Sequence, residues 1–313
     1  MIWLVGAGGM SVDYTSVLKA QEEEFIVIGR GQLSALTFEE KTGHPVILDG
    51  LEIFLNTCPK IPDAVIVSVG VEQLYETTLM LLKFGVKRLL VEKPGGLCTS
   101  EISDLELNAK NKNAQIFIAY NRRFYSSVIT AQDMIARDGG VTSFNFELTE
   151  WGHVIEKLEK PKLALEKWFL GNSSHVADMA FFLGNKPQEI SCFTSGSLSW
   201  HPSSSVFAGA GVSVNGALFN YAANWESAGR WSVEVLTNKN RYVFRPMESL
   251  QVQKRGTIPL VEVEVDDKFD KDFKPGLYLQ VKAFIEGDTS RLCSIEDQLS
   301  IFSTYEKMAG YAE

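Results

Sequence analysis

A lysine stands where an apolar strand ends, at a position that suits it for proton transfer. Leu89-Leu90-Val91 is followed by Glu92-Lys93-Pro94-Gly95-Gly96. Because proline disfavours helical geometry in the residue before it, Lys93 is predicted to be extended just past the carboxyl end of the strand. In open α/β sheets this edge is where ligands bind. The alternative is an ordinary strand-to-loop exit with a solvated lysine.

A histidine and a carboxylate share one face of a second predicted element. The largely apolar helical segment from Ser173 to Gly184 contains His175 and Asp178, three positions apart. Histidine titrates near neutral pH and is the natural general acid or base. Asp178 can orient the imidazole or bind a substrate hydroxyl. The alternative is a core histidine satisfied by a neighbouring carboxylate.

The amino terminus carries a glycine-rich turn between a predicted strand and a predicted helix. The apolar run Ile2-Trp3-Leu4-Val5 leads into Gly6-Ala7-Gly8-Gly9-Met10-Ser11, and a helical pattern begins at Val12. This resembles the dinucleotide fingerprint G-x-G-x-x-G/A, whose glycines let the backbone approach a pyrophosphate. The helix amino terminus offers N–H groups and positive dipole charge to phosphates. Ser11 replaces the usual third glycine or alanine.

The end of the second predicted strand bears on the choice of nucleotide. Phe25-Ile26-Val27-Ile28 ends in Gly29-Arg30-Gly31, without the acidic residue that binds the ribose 2′-hydroxyl in many NAD sites. The Arg30 guanidinium suits a 2′-phosphate, so the pattern favours NADP over NAD. The alternative is a surface arginine that binds no ligand.

Composition excludes several classes of protein. A chain of 313 residues exceeds the usual size of one core, so two domains are expected. A net charge of −9 without a basic cluster argues against a nucleic-acid partner. No apolar run reaches the length needed to span a bilayer, and no signal-peptide pattern is present. The four cysteines lack C-x-x-C spacing, which indicates reduced thiols in a cytoplasmic protein and no metal site.

The order of the predicted elements indicates an α/β chain with two domains. Strands and helices alternate up to about residue 120, which predicts a Rossmann-type, doubly wound parallel sheet over residues 1–120. Residues 121–313 are predicted to form an α+β domain with a large, mostly antiparallel, open-faced sheet. The hinge is expected near Asn121, and the C-terminal helices can pack back on the first domain. Ser100 is predicted to cap a helix. In the alternative in which the chain stays monomeric, residues 200–211 form a loop that covers one face of the second sheet.

Three motifs stand in an order seen in a known family. They are Val91-Glu92-Lys93-Pro94, Tyr120-Asn121-Arg122-Arg123-Phe124 and His175-x-x-Asp178. With the glycine loop, they resemble the Gfo/Idh/MocA family, which includes glucose–fructose oxidoreductase and inositol 2-dehydrogenase. The resemblance covers essentially the whole chain. It implies an NAD(P)-dependent enzyme acting on sugars, polyols or sugar nucleotides.

The resemblance also implies roles for individual residues. Lys93 would assist proton transfer to or from the substrate hydroxyl, His175 would be the second acid/base, and Asp178 would bind the sugar. The expected cofactor contacts are Gly6, Gly8, Gly9, Met10, Arg30, Ser68, Val69, Glu92, Lys93 and Asn121. The expected substrate contacts are Arg122, Asn172, Ser174, His175 and Asp178.

The chain departs from the family pattern in two places. Many members carry an acidic residue one turn before the histidine, where this chain has Gly171, and this shifts the polar contacts to Asn172, Ser173 and Ser174. The loop that begins at Ser68-Val69 lacks the proline or asparagine and the histidine that are common there. A fixed catalytic triad and the nicotinamide contacts of this loop are therefore in doubt.

The sequence thus predicts an oxidoreductase that prefers NADP, or uses NAD, and transfers hydride between nicotinamide and a carbinol or carbonyl carbon of a sugar-like substrate. The alternative is a non-catalytic NAD(P)-binding sensor that kept the fold. Apolar residues on both faces of the second sheet, such as Val233, Val235, Leu218 and Tyr221, predict a homodimer or homotetramer joined through that sheet. No nucleic-acid or membrane partner is expected.

Overall fold

The strands and helices alternate along the first part of the chain, as the sequence predicts. The computed structural model describes residues 1–311. Its strands are β1 (Ile2–Val5), β2 (Phe25–Ile28), β3 (Val46–Ile47), β4 (Ala64–Val67), β5 (Arg88–Val91), β6 (Gln115–Ile118), β7 (Ser143–Glu147), β8 (Pro187–Ser195), β9 (Val206–Ser213), β10 (Leu218–Asn224), β11 (Ser232–Leu236), β12 (Asn240–Phe244), β13 (Gln251–Lys254), β14 (Val261–Glu262) and β15 (Cys293–Ser294). Its α-helices are α1 (Gly9–Ala20), α2 (Gln32–Thr42), α3 (Gly50–Asn56), α4 (Leu74–Phe84), α5 (Thr99–Lys112), α6 (Ser126–Arg137), α7 (Gly152–Ile155), α8 (Lys162–Glu166), α9 (Ser174–Gly184), α10 (Lys268–Asp272), α11 (Leu277–Glu286) and α12 (Ile295–Ala309).

The chain divides into two units, and each is built from two segments. The first unit comprises residues 1–121 and 269–302. The second comprises residues 122–268 and the segment that begins at residue 303. The segment 269–302 supplies α11 and β15 to the first unit.

The first unit is built on a seven-stranded sheet in the order β15-β6-β5-β4-β1-β2-β3. All of its strands are parallel except β15, which pairs antiparallel with β6. The strands β1 and β4 are buried along their whole length, as expected for a parallel sheet covered on both faces. The chain leaves β1 towards β2 on one side and β4 lies on the other, so the order reverses at this point, where open α/β sheets bind ligands.

The second unit is built on an eight-stranded sheet in the order β14-β13-β12-β11-β7-β10-β9-β8. Every pair is antiparallel except β7 with β10. The helix α9 covers one face, where the Phe181 ring lies 5.5 Å from Phe146 and 5.3 Å from Phe219. Val233 and Val235 are fully buried on the covered side. The exposed Leu218 lies on the opposite face from Tyr221, because neighbouring strand residues alternate between faces and these two are three apart.

The loop over residues 200–211 that the monomeric alternative requires is not found from Val206 onward. The strand β9 pairs with both β8 and β10 along most of its length. Its two glycines give it a weak strand pattern, yet they have a packing role. A Cβ on Gly209 would overlap the ring of Tyr221, and one on Gly211 would lie 2.7 Å from Phe219. The glycines therefore make room for aromatic rings of the neighbouring strand.

The predicted cap of α5 is also wrong. The helix begins at Thr99, so Ser100 lies inside the first turn, and Cys98 takes the extended cap position. The first turn is closed by Glu101, whose Oε2 accepts a hydrogen bond of 2.6 Å from the Leu97 N–H. This bond ties the helix to the residue before its cap, while the cap residue Cys98 makes no side-chain hydrogen bond to the first turn.

A buried histidine of the second unit is held neutral. His201 Nδ1 lies 2.7 Å from the Ser204 carbonyl oxygen, which can only accept, so this nitrogen carries the hydrogen. Its Nε2 accepts from the Tyr311 hydroxyl at 2.6 Å, and the side chain is fully buried. Burial lowers the pKa of His201 from 6.5 to about 4.

This histidine is expected to make the protein less stable as the pH falls. His201 takes up a proton near pH 6.5 in the unfolded chain but only near pH 4 in the folded protein. Its contribution to the free energy of unfolding is therefore complete above pH 6.5 and is lost as the pH falls from 6.5 to about 4. Two pKa units of this difference correspond to about 2–3 kcal/mol. Denaturant unfolding of the parent and of His201→Asn from pH 7 to 4.5 tests this. The variant should be less stable at pH 7 but should lose less stability on acidification; parallel curves would contradict the assignment.

Candidate functional site

The glycine loop of the first unit has the geometry that close approach to a ligand requires. Gly6 has a φ of 120°, and a Cβ there would overlap the carbonyl oxygen of Ser68. Gly8 precedes the first residue of α1 without a side-chain cap, and a Cβ on Gly8 or Gly9 would meet no atom within 4 Å. The space beside these two glycines, at the start of α1, is therefore open. Ser11 is buried and donates to the Ser68 hydroxyl at 3.2 Å, which explains why serine fits the third position.

Beside this loop lies a cavity of about 270 Å³. It is lined by Val5, Gly6, Ile28, Gly29, Arg30, Asp49, Gly50, Leu51, Glu52, Ile53, Val69, Gln73, Thr77 and Met80. Arg30 follows β2 as predicted, and it shares the cavity with Asp49 and Glu52. Sequence reasoning missed these two carboxylates because it searched for an acidic residue after β2, whereas they follow β3.

Glu92 is buried next to Lys93 and receives a hydrogen bond that sequence reasoning did not foresee. The Tyr14 hydroxyl on α1 donates to Glu92 Oε1 at 2.8 Å. Burial raises the pKa of the Glu92 carboxyl, while the Lys93 ammonium and the Tyr14 hydrogen bond oppose the rise. The same burial, together with the Glu92 carboxylate, raises the pKa of Tyr14. The peptide bond between Lys93 and Pro94 is cis.

The predicted cofactor contacts meet at one edge of the first sheet. The residues after β1, β4, β5 and β6 include Gly6, Ser68, Lys93 and Asn121, and these four strands run parallel. The carboxyl ends of parallel strands lie at the same edge. Asn121 is buried, and its Nδ2 donates to the Pro275 carbonyl at 2.8 Å. The open space beside the glycines, the cavity at Arg30 and this edge together could hold a dinucleotide.

In the second unit, Asp178 is held by an arginine of the Asn-Arg-Arg-Phe motif. Arg123 Nε lies 2.9 Å from one carboxylate oxygen of Asp178, and its Nη2 lies 2.6 Å from the other. The two side chains are 11% and 2% exposed, so this is a buried bidentate ion pair. His175, also buried, lies one turn earlier on the same face of α9.

A second buried carboxylate organises the turn before α9. Glu150 Oε1 accepts hydrogen bonds from Asn172 Nδ2 at 2.8 Å and from Ser173 Oγ at 2.7 Å. Burial raises the pKa of this carboxyl. Both donors belong to the π-helical turn Phe169–Ser173 that leads into α9. Ser174, a predicted substrate contact, is fully buried, and its hydroxyl donates to the Leu170 carbonyl at 2.7 Å.

Cationic and aromatic side chains are stacked next to Glu150. The guanidinium carbon of Arg122 lies 4.8 Å from the centre of the Trp231 ring, and that of Arg230 lies 4.4 Å from it. Arg230 also lies 4.9 Å from the Trp151 ring, and its Nη1 is 3.4 Å from Glu150 Oε2. Trp231 is buried, whereas Trp151 is 49% exposed. Of these two rings, therefore, Trp151 is the one accessible to a ligand.

Within residues 1–311, no group of three His, Cys, Asp or Glu side chains is arranged to hold a metal ion. None of the helices in this range is long and apolar enough to cross a membrane. The predicted residues therefore form two groups. All of the predicted cofactor contacts, from Gly6 to Asn121, belong to the first unit. The predicted substrate contacts, from Arg122 to Asp178, belong to the second.

Comparison with known proteins gives a likeness in structure. No protein-family model and no curated protein sequence matches the chain. A levoglucosan dehydrogenase in complex with NADH has a TM-score of 0.81 at 15% identity, covering 99% of this chain and 96% of that one. The UDP-N-acetylglucosamine 3-dehydrogenase GnnA from Acidithiobacillus ferrooxidans has a TM-score of 0.77 at 14% identity, covering 100% and 97%. A dehydrogenase (MviM) from Clostridium difficile has a TM-score of 0.79 at 17% identity, covering 99% of both chains. The predicted fold class is confirmed.

Proposed function

We propose, because the chain has the two-domain fold of Gfo/Idh/MocA-type oxidoreductases, that it is an NAD(P)-dependent dehydrogenase of a sugar, polyol or sugar nucleotide. One observation carries the proposal. The open glycine turn, the cavity at Arg30 and the Glu92-Lys93 pair all belong to a single edge of the first sheet. The structural neighbours named as dehydrogenases of levoglucosan and of UDP-N-acetylglucosamine support the substrate class.

The chain's own residues have distinct tasks in this proposal. Gly6, Gly8 and Gly9 with the N–H groups of α1 hold the pyrophosphate. Lys93 holds or moves the proton of the substrate hydroxyl, and the buried Glu92 keeps the lysine in place. The bound NADP or NAD supplies the nicotinamide carbon that exchanges hydride with the substrate.

The second unit binds the substrate in this proposal. His175 is the second acid or base, because it shares a helix face with a carboxylate that Arg123 fixes. Trp151 and Arg230 offer an exposed ring and a donor for a sugar. Asn172 donates a hydrogen bond to Glu150, and this places it near Arg230, which is the ion-pair partner of the same carboxylate. Ser174 has no task here, since its hydroxyl is used inside the helix.

A substrate screen tests the proposed activity. The full chain is incubated with NADP⁺ or NAD⁺ and a panel of sugars, polyols and sugar nucleotides, and the absorbance of reduced nicotinamide is followed. Calorimetry with both nucleotides runs in parallel. Turnover with one class of substrate is expected. Binding of the nucleotide without turnover on any class would favour the sensor, and no nucleotide binding would contradict the proposal.

The cofactor preference is a further part of the proposal. Because Arg30 lines the cavity after β2, NADP⁺ is expected to bind at least about tenfold more tightly than NAD⁺, the value of one or two charged hydrogen bonds. Arg30→Asp should reverse the order, since it removes the phosphate partner and adds repulsion. Calorimetry on the parent, Arg30→Asp and the charge-conserving control Arg30→Lys measures this. Equal affinities in the parent would contradict it, and Asp49 or Glu52 would then be the ribose ligand.

The association of two copies through the second sheet is also proposed. Leu218 and Phe193 are 61% and 69% exposed, on strands of the second sheet. Large apolar side chains of this kind on one sheet are typical of an interface, and symmetric pairing is the commonest form. Light scattering at low micromolar concentration should give the mass of a dimer or tetramer. Leu218→Asp should lower that mass and Leu33→Asp, at an exposed residue of α2, should not; a parent monomer would contradict the proposal.

A further inference from the structure

A lysine from the far end of the chain lies beside the first turn of α1. Lys274 Nζ is 2.9 Å from the Met10 sulfur and 3.3 Å from Asp13 Oδ2. All three residues belong to the first unit, although Lys274 enters it through the segment 269–302. Nothing in the sequence pattern links Lys274 to the glycine loop, and it was not among the predicted contacts.

The position is electrostatically unfavourable in the absence of an anion. The amino terminus of a helix carries positive dipole charge, so a cation placed there is repelled. The first turn of α1 has no acidic residue to offset this, and the anions near the ammonium are Asp13 and the buried Glu92, whose pKa the Lys274 charge lowers. The ion pair with Asp13 offsets it only in part, because the two side chains are 42% and 38% exposed and such pairs contribute little. An anion at the first turn of α1 would meet both the helix N–H groups and the Lys274 ammonium, which lies against Met10 of that turn.

The backbone around Lys274 is held on both sides. Asn121 Nδ2 donates to the carbonyl of Pro275, the next residue, at 2.8 Å. Asp270 Oδ1 accepts from the Gly276 N–H at 2.7 Å. The Tyr278 ring stacks on Phe269 with 4.1 Å between centroids. The position of the lysine therefore follows from several anchors, and Asp13 is not needed to keep it near α1.

We infer that Lys274 is a further ligand of the cofactor. When the dinucleotide binds, the Lys274 ammonium leaves Asp13 and contacts the diphosphate at the glycine loop. This inference rests on the proposed function, which places a dinucleotide there. The helix N–H groups and Lys274 would contact the same diphosphate from two sides. Asp13 then acts as a competitor that holds the ammonium until the diphosphate replaces it.

Two substitutions with opposite expected effects test the inference. Lys274→Met should weaken binding of NADPH about 10- to 30-fold, since it removes a hydrogen bond to a charged group. Asp13→Asn should leave affinity unchanged or raise it a few-fold, because it frees the lysine. Lys274→Arg should stay within a few-fold of the parent. Lys282→Met is the matched control, an exposed lysine of α11 that pairs with Glu286, and it should bind as the parent does. Calorimetry gives the dissociation constants, and thermal unfolding of every variant shows whether it is folded.

The possible outcomes separate this inference from the proposed function. Equal weakening by Lys274→Met and Asp13→Asn would mean that the pair only stabilises α1, and the inference would be wrong. A parent that binds NADPH while Lys274→Met binds it equally well would also overturn the inference but leave the proposed function standing. A parent that binds neither NADPH nor NADH would overturn both.

Discussion

Lys93→Met is expected to lower turnover on the identified substrate by about 10²- to 10⁴-fold, the usual effect of removing a positioned acid or base. Methionine keeps the length and the apolar stem of the side chain, so the nucleotide should still bind. Turnover and the dissociation constant of NADP⁺ are measured for the parent and for the variant. A loss confined to turnover would assign the lysine to proton transfer.

The control for this variant lies at the other end of the same strand. Lys87 precedes β5 and is exposed, so Lys87→Met should retain the turnover of the parent. If Lys93→Met also retained it, the proton would have to be handled elsewhere, and His175→Ala would show whether the histidine alone is sufficient. Retention of parent turnover in both variants would reject the assignment.

The ion pair of Arg123 and Asp178 is expected to be the most costly polar contact to break. Arg123→Met leaves the Asp178 carboxylate buried without its bidentate partner, and breaking such a pair typically costs about 3–5 kcal/mol. Denaturant unfolding of the parent and of Arg123→Met at pH 7 measures the loss in free energy of unfolding. The double variant Arg123→Met/Asp178→Leu should recover part of it, because neither charge of this pair remains.

An exposed ion pair of the same unit provides the comparison. Arg241 Nε lies 3.1 Å from Glu234 Oε2, but the side chains are 43% and 28% exposed. Arg241→Met should therefore cost less than about 1 kcal/mol. Similar losses for the two arginine variants would show that burial does not strengthen the Arg123 pair, and would contradict the prediction.

The parts of the fold that could be predicted from the sequence are those determined by residues next to one another along the chain. The glycine loop, β1 and the strand before Lys93 are encoded in continuous stretches, in which apolar runs and turn residues alternate. The strand β9 could not be predicted, because its glycines make sense only when the rings of β10 lie above them. Hydrophobic periodicity does not register a packing requirement of this kind.

The candidate site shows the same division. Lys93 and His175 could be proposed from the local sequence pattern, because Lys93 directly follows a buried strand and His175 lies on a largely apolar helix. The Tyr14 hydrogen bond to Glu92 joins residues 78 positions apart, and Lys274 reaches Met10 across 264 positions. The two side chains that donate hydrogen bonds to Glu150 lie 22 and 23 residues later in the chain. Partners that only the folded chain brings together cannot be read from the spacing of residues.

The division of each unit into two segments has a consequence for the order in which the protein is made. When residues 1–121 leave the ribosome, β6 still has an unpaired edge, because β15 is supplied by Cys293–Ser294. The Phe117 ring of β6 also waits for Phe284, which is translated more than 160 residues later. An open strand edge beside an uncovered aromatic ring is a site of aggregation. The first unit, although most of it is encoded first, is therefore completed only when nearly the entire chain has been synthesised.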